Sequence, residues 1–308
     1  MSSSKSWLTA AAVASALFAI SAPAHAQTRT WVAGVGDDMN PCSRTSPCKT
    51  FAGAISKTSP NGIINCIDNG AYGAVTITKS ITIDCHEALA TMLTGEGGTG
   101  IIINVGSGDP KDTLRTVRLR NIDISGSGIG NAGISILSAA AVILEDMSIT
   151  GMVKQGIVDS RSEGGTLLAV KNSIVANNAG AGIAATATQT NNVMLDNVHS
   201  IKNAFGVAVA KGNSTAINRS VLSGNSTAGV EADSGAGVIV DSTVVNFNAT
   251  GVVNGGGTVA LTNTDVTSNA TGITGATTSF GNNRIFANTS AGVAPTPAGA
   301  PSSLLGQQ

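Results

Sequence analysis

The sequence predicts an all-β solenoid, a single chain wound into a parallel coil of about ten rungs. Three observations point to it. A Gly followed by Ile or Val recurs at Gly133-Ile134, Gly156-Ile157, Gly182-Ile183, Gly206-Val207, Gly229-Val230, Gly251-Val252, Gly272-Ile273 and Gly292-Val293, at intervals of 20 to 26 residues, and a fixed period in that range marks a repeat architecture. Between these points apolar and polar residues alternate in short runs, as in Val117-Arg118-Leu119-Arg120 and Ile122-Asp123-Ile124. Period two means a strand with one buried face. The composition suits a thin interior: aromatics are 3% and charged residues 11%, against about 25% charged in an ordinary domain. Stacking each rung on the next lets every strand pair with its equivalent, about 4.8 Å away.

The elements follow in order. Residues 1–26 read as a secretory signal: Lys5, a mostly apolar run from Leu8 to Ile20, then Ala24-His25-Ala26 as the cleavage site. That run is shorter than the roughly 20 residues of a membrane span, and no later stretch is apolar and unbroken enough to be one. Residues 27–59 form an N-terminal entry and cap, in which Phe51, Ala54 and Ile55 share one face of a short helix. Such a helix covers the open apolar end of a repeat array. The coil runs over 60–293. The tail, 294–308, carries Pro295, Pro297 and Pro301 and is expected to be disordered.

Cys42, Cys48, Cys66 and Cys85 form an even, clustered set, which in an exported chain reads as disulfides. The gaps between them do not fit a zinc site, and neither metal nor cofactor is expected. Of the three pairings, Cys42–Cys48 with Cys66–Cys85 is favoured, because Cys66 and Cys85 lie about one rung apart.

Aligned rungs give vertical columns. Leu119, Leu144, Val170, Leu195, Ile217, Val240, Leu261 and Phe280 form a buried one. The next reads Arg120, Glu145, Lys171, Asp196, Asn218, Asp241, Thr262. Its first four members alternate in sign, which predicts an outward ladder in which neighbours neutralise one another. The column after that, Asn121, Asp146, Asn172, Asn197, Arg219, Ser242, Asn263 and Asn282, predicts left-handed turns and stacked amides. Asn213, Asn218, Asn225, Asn248, Asn269 and Asn288 match the glycosylation triplet. Four of these precede Gly-Ile/Val and are read as turn chemistry.

The repeats resemble those of the right-handed parallel β-helix proteins, the pectin-lyase-like superfamily, over about residues 60–293. Gly36-Asp37-Asp38-Met39-Asn40-Pro41, Pro47-Cys48-Lys49-Thr50-Phe51 and Ala54-Ile55 are similar to the segment that often precedes that family's first rung. Gly62 to Cys66, Tyr72 to Ile77 and Lys79 to Ile83 are similar to its first rungs. The resemblance implies the fold. It leaves the activity open, since the superfamily includes polysaccharide lyases, glycosidases, epimerases, adhesins and members without known activity.

A net charge of −1 offers no basic patch for nucleic acid. The Gly-Ile/Val strands face outward through Ser135, Val158, Ala184, Ala208, Glu231, Val253 and Thr274, with one carboxylate and no base. A lyase needs an abstracting base and a glycosidase two carboxylates, so no catalytic residues are assigned. His199 stacks between Ile174 and Val221, as a structural histidine. Trp31 and Tyr72 fall near the cap, which leaves no sugar-stacking platform on the coil. One edge is irregular: the connection from Gly100 to Leu119 carries Asp109, Lys111, Asp112 and Arg115, and two rungs later come Asp159, Arg161 and Glu163. Irregular loops on one side of a solenoid are where function collects, so 106–115 and 159–165 are the candidate binding loops. The expectation is an exported, monomeric, non-catalytic scaffold that binds a polysaccharide or cell-surface component there. The alternative is a polysaccharide-acting enzyme sited in the same loops.

Overall fold

A computed structural model describes residues 26–298. The expected signal, apart from Ala26, and residues 299–308 lie outside the described residues.

Every strand-to-strand ladder is parallel, and each strand pairs with its equivalent one rung on, in three faces. The Gly-Ile/Val strands stack into a ten-stranded sheet, from Val75–Ile77 to Ser290–Gly292. The other two faces form one twenty-stranded sheet, because Thr166–Ala176 and Asn191–Ile201 run unbroken around the corner between them. Leu119, Leu144, Val170, Leu195, Ile217, Val240 and Leu261 are register partners in series and wholly buried. The face they define is called the Leu face below. The expected last member, Phe280, is not in it: Leu261 pairs with Ser279, and Phe280 stands one position on, exposed.

The corner after the Leu face shows why its column is rich in Asn. Asn121, Asp146, Asn172, Asn197, Arg219, Ser242 and Asn263 all have φ between 47° and 56°. That left-handed region is one that Asn and Asp tolerate best among residues with a side chain. On the last rung the duty passes to Gly281, not Asn282. The longest amide ladder is in another column. Asn178, Asn203, Asn225, Asn248, Asn269 and Asn288 stack before the Gly-Ile/Val strands, each backbone N–H donating to the side-chain oxygen of the next at 2.9–3.0 Å. Asn225, Asn248 and Asn269 are buried and cannot present an amide for glycosylation. The glycines beside them are required by close stacking. A Cβ on Gly229 would lie 2.7 Å from the Gly251 carbonyl oxygen, and one on Gly251 2.6 Å from that of Gly272.

The N-terminal end is closed as expected. The helix Phe51–Lys57 buries Phe51, Ala54 and Ile55, and Thr50 caps it by accepting from the Gly53 N–H. Strand Gln27–Val32 is a full member of the Leu face, paired with Thr58–Cys66. Both disulfides are formed, with Cα–Cα distances of 4.6 Å for Cys42–Cys48 and 4.8 Å for Cys66–Cys85. At the other end the coil passes its expected boundary, since Thr296–Pro297 pairs with Thr278–Ser279. The tail therefore does not begin at Ala294. No helix among the described residues is long and apolar enough to cross a membrane.

Candidate functional site

The two irregular loops do converge, and their charges are spent on one another. Arg115 pairs with Glu163, and Ser138, on the rung between, bonds to both. Asp112 is buried and accepts from the backbone N–H and hydroxyl of Ser80. Asp159 and Arg161 are 0% exposed. The Arg161 guanidinium meets both Asp159 oxygens, at 2.8 and 2.5 Å, and the Ala139 carbonyl at 3.0 Å, and Asn191 bonds to the same carboxylate. A ligand cannot reach this pair. Of the seven side chains Asp109 and Lys111 alone stand open to solvent, and the other five strut the coil.

A groove of about 720 Å³ lies elsewhere, along the first rungs of the Leu face. Its floor is the charge column continued toward the N-terminus, because Glu145 pairs in register with Arg120, Arg120 with Asp84, Asp84 with Asn65, and Asn65 with Trp31. One wall comes from the corner. Lower down, a single residue such as Asn121 turns the chain between strands Thr116–Arg120 and Ile122–Ser125. Between Ile81–Asp84 and Ala90–Leu93 the turn widens to residues 85–89, and His86 and Glu87 line the groove from it. Arg29, Trp31 and Arg44 line its N-terminal end, and Asp146 and Asn172 its far end. A second depression, of about 520 Å³, is lined by a single charged side chain, Lys202.

Two kinds of charge meet in the groove. Arg120 is held between Glu145, at 2.6 Å, and Asp84, at 3.6 Å. The hydrogen bond to Glu145, more than any other interaction, raises its pKa above the ordinary arginine value. His86 Nδ1 lies 3.9 Å from the Asp146 carboxylate. Among the described residues neither Arg29 nor Arg44 makes an ion pair, and both are exposed. The half-buried Trp31 sits with them. Two free guanidiniums beside an indole suit a ligand with carboxylates and a sugar face. No cluster of metal-binding side chains occurs among the described residues.

Trp31 thus lies on the coil itself. Tyr72, by contrast, is buried under the cap against Phe51, with its hydroxyl on Asp68. His199 stands between Ile174 and Val221, as expected, whereas His86 is a second histidine within the rungs.

Winding, register and groove together define a right-handed parallel β-helix of the pectin-lyase-like fold. No protein-family model matches the chain, and no curated protein matches its sequence. Among solved structures the chain is similar to an alginate lyase from Paenibacillus, with a TM-score of 0.56 at 13% identity over 87% of this chain and 99% of that one. It is also similar to a pectate lyase (TM-score 0.51, 14% identity, 89% of this chain and 78% of that one). The A-module of a mannuronan C-5 epimerase from Azotobacter vinelandii gives a TM-score of 0.51 at 13% identity, over 88% of this chain and 89% of that one. At such identities the likeness is one of fold.

Proposed function

We propose that this is an exported protein that binds an acidic polysaccharide in the groove of the first rungs, without catalysis. The observation that carries the reading is the placement of Arg29, Arg44 and Trp31 at one end of the groove, the two arginines free of carboxylate partners. A guanidinium takes a carboxylate in a bidentate pair, and an indole face takes the apolar side of a sugar ring. Pectate, alginate and mannuronan, named in the similar structures, are acidic polysaccharides, which supports the same class of ligand. Two disulfides and the apolar leader support export. The absence of catalysis rests on the floor, where Arg120 ties up both Asp84 and Glu145.

The test is a glycan array followed by calorimetry on the acidic hits. Arg29→Ala with Arg44→Ala should weaken binding at least tenfold, about 1.4 kcal/mol, and neutral glycans should not bind. Equal binding by the double variant would remove the reading. One observation favours a second reading, a lyase: His86 stands beside Asp146 in the same groove, as a base could. Unsaturated uronate, detected by ultraviolet absorbance in the parent and lost in His86→Ala, would establish it.

A further inference from the structure

We infer that the groove recognises the end of a polysaccharide chain, with the terminal sugar at Arg44; this rests on the polysaccharide-binding reading. The groove runs along the coil axis, from strand Gln27–Val32 to strand Thr166–Ala176, five strand steps or about 24 Å. Its two ends differ.

At the N-terminal end the loop 42–48 takes the place of one more rung. Trp31 N–H donates to the Cys42 carbonyl at 2.8 Å, Cys48 N–H donates to the Trp31 carbonyl at 2.9 Å, and Ala33 N–H donates to the Cys48 carbonyl at 2.9 Å. The Cys42–Cys48 disulfide ties the base of this loop, and Arg44 reaches the groove from it. A ligand lying along the floor therefore meets a pinned loop and a free guanidinium just beyond Trp31.

At the far end nothing comparable stands. The wide turn 85–89 has given way to single-residue corners at Asn172 and Asn197. The floor runs on through Lys171, Asp196 and Asn218. A chain can leave the groove there and cannot continue past Arg44. A groove closed at one end and open at the other holds a terminus, and each polymer offers the same number of termini whatever its length.

The experiment is calorimetric stoichiometry on the full chain, with oligogalacturonates of defined length and with polygalacturonate as probes. The expected result is one protein bound per saccharide chain at every length. Arg44→Ala should weaken all lengths at least tenfold, whereas Asn172→Ala should weaken only fractions long enough to span the groove. A count of bound protein that rises with chain length would overturn the inference while leaving polysaccharide binding intact. So would an Arg44→Ala effect confined to the longest fractions. No binding to these fractions or to any acidic glycan of the array would remove both readings.

Discussion

Asp84 and Arg120 are register partners on the Leu face, with Oδ2 and Nη1 3.6 Å apart, although the 106–115 insertion separates them along the chain. On its other side Arg120 meets Glu145 at 2.6 Å. The three form the middle of the groove floor, an acid, a base and an acid on successive rungs.

Glu145→Lys should therefore be felt at a distance. Arg120 would lose its closer partner and gain a like charge, with Lys171 on the next rung. The expected loss is about 0.5–1 kcal/mol in low salt, shrinking as salt screens the column. Urea unfolding at two ionic strengths measures it, and equal stability of variant and parent in low salt would contradict the ladder.

Inward positions should matter more. Leu195 is wholly buried between Val170 and Ile217. Leu195→Ala should cost about 2–5 kcal/mol. Leu195→Asp should abolish folding, because the stacked neighbours offer a carboxylate no partner. A folded, soluble Leu195→Asp protein would mean that the column does not face the core.

The strut predicts the largest effect of a charge. Arg161→Met leaves Asp159 buried without its guanidinium and should cost about 3–5 kcal/mol. Adding Asp159→Leu should restore a good part of that. Chemical denaturation of both variants gives the answer, and a single-variant loss under about 1 kcal/mol would place the pair within reach of water.

Two glutamates should respond to pH with opposite signs. Partial burial pushes the Glu163 carboxyl up, but the hydrogen bonds and charge supplied by Arg115, with Ser138, outweigh it and hold the group below its ordinary value. Its contribution is thus present above about pH 4.3 and is lost as pH falls through the lowered value. Glu231 is pushed up by burial and then by Asp233, so its charge costs stability at neutral pH. Glu163→Gln should lower stability at pH 7, and Glu231→Gln should raise it, each by about 0.5 kcal/mol or less. The Glu231 difference should close below about pH 4.3, and the Glu163 difference only once the pH has fallen through its lowered value. Thermal melts across that range would contradict the assignment if either sign were reversed.

Most of the fold was legible because a stacked coil repeats its constraints. One misplaced residue breaks a column, so Gly229, Asn225 and Leu195 announce their roles through their equivalents on other rungs. Cys66 and Cys85 could be paired from the rung length alone. The site was less legible for the same reason. The 106–115 insertion interrupts the period, and a column counted downward from Arg120 omits Asp84, Asn65 and Trp31 above it. The long insertion drew attention to charges that turn out to be satisfied internally, Arg115 by Glu163 and Asp112 by Ser80. Burial of a whole ion pair, Asp159 with Arg161, has no periodic signature. The widened turn that carries His86 and Glu87 was the visible clue, a five-residue corner where later rungs use one or two.

The most direct test of the account is the fluorescence of Trp31. Of the two tryptophans in the sequence, Trp7 lies in the expected leader, so the mature protein carries Trp31 as a single reporter inside the groove. Titration of that protein with an oligogalacturonate should change the emission of Trp31 along a saturable curve. In the background of Arg29→Ala with Arg44→Ala, the midpoint should move to at least tenfold higher concentration. Binding that registers by calorimetry while Trp31 emission stays constant would contradict the account, because the ligand would then sit outside the groove.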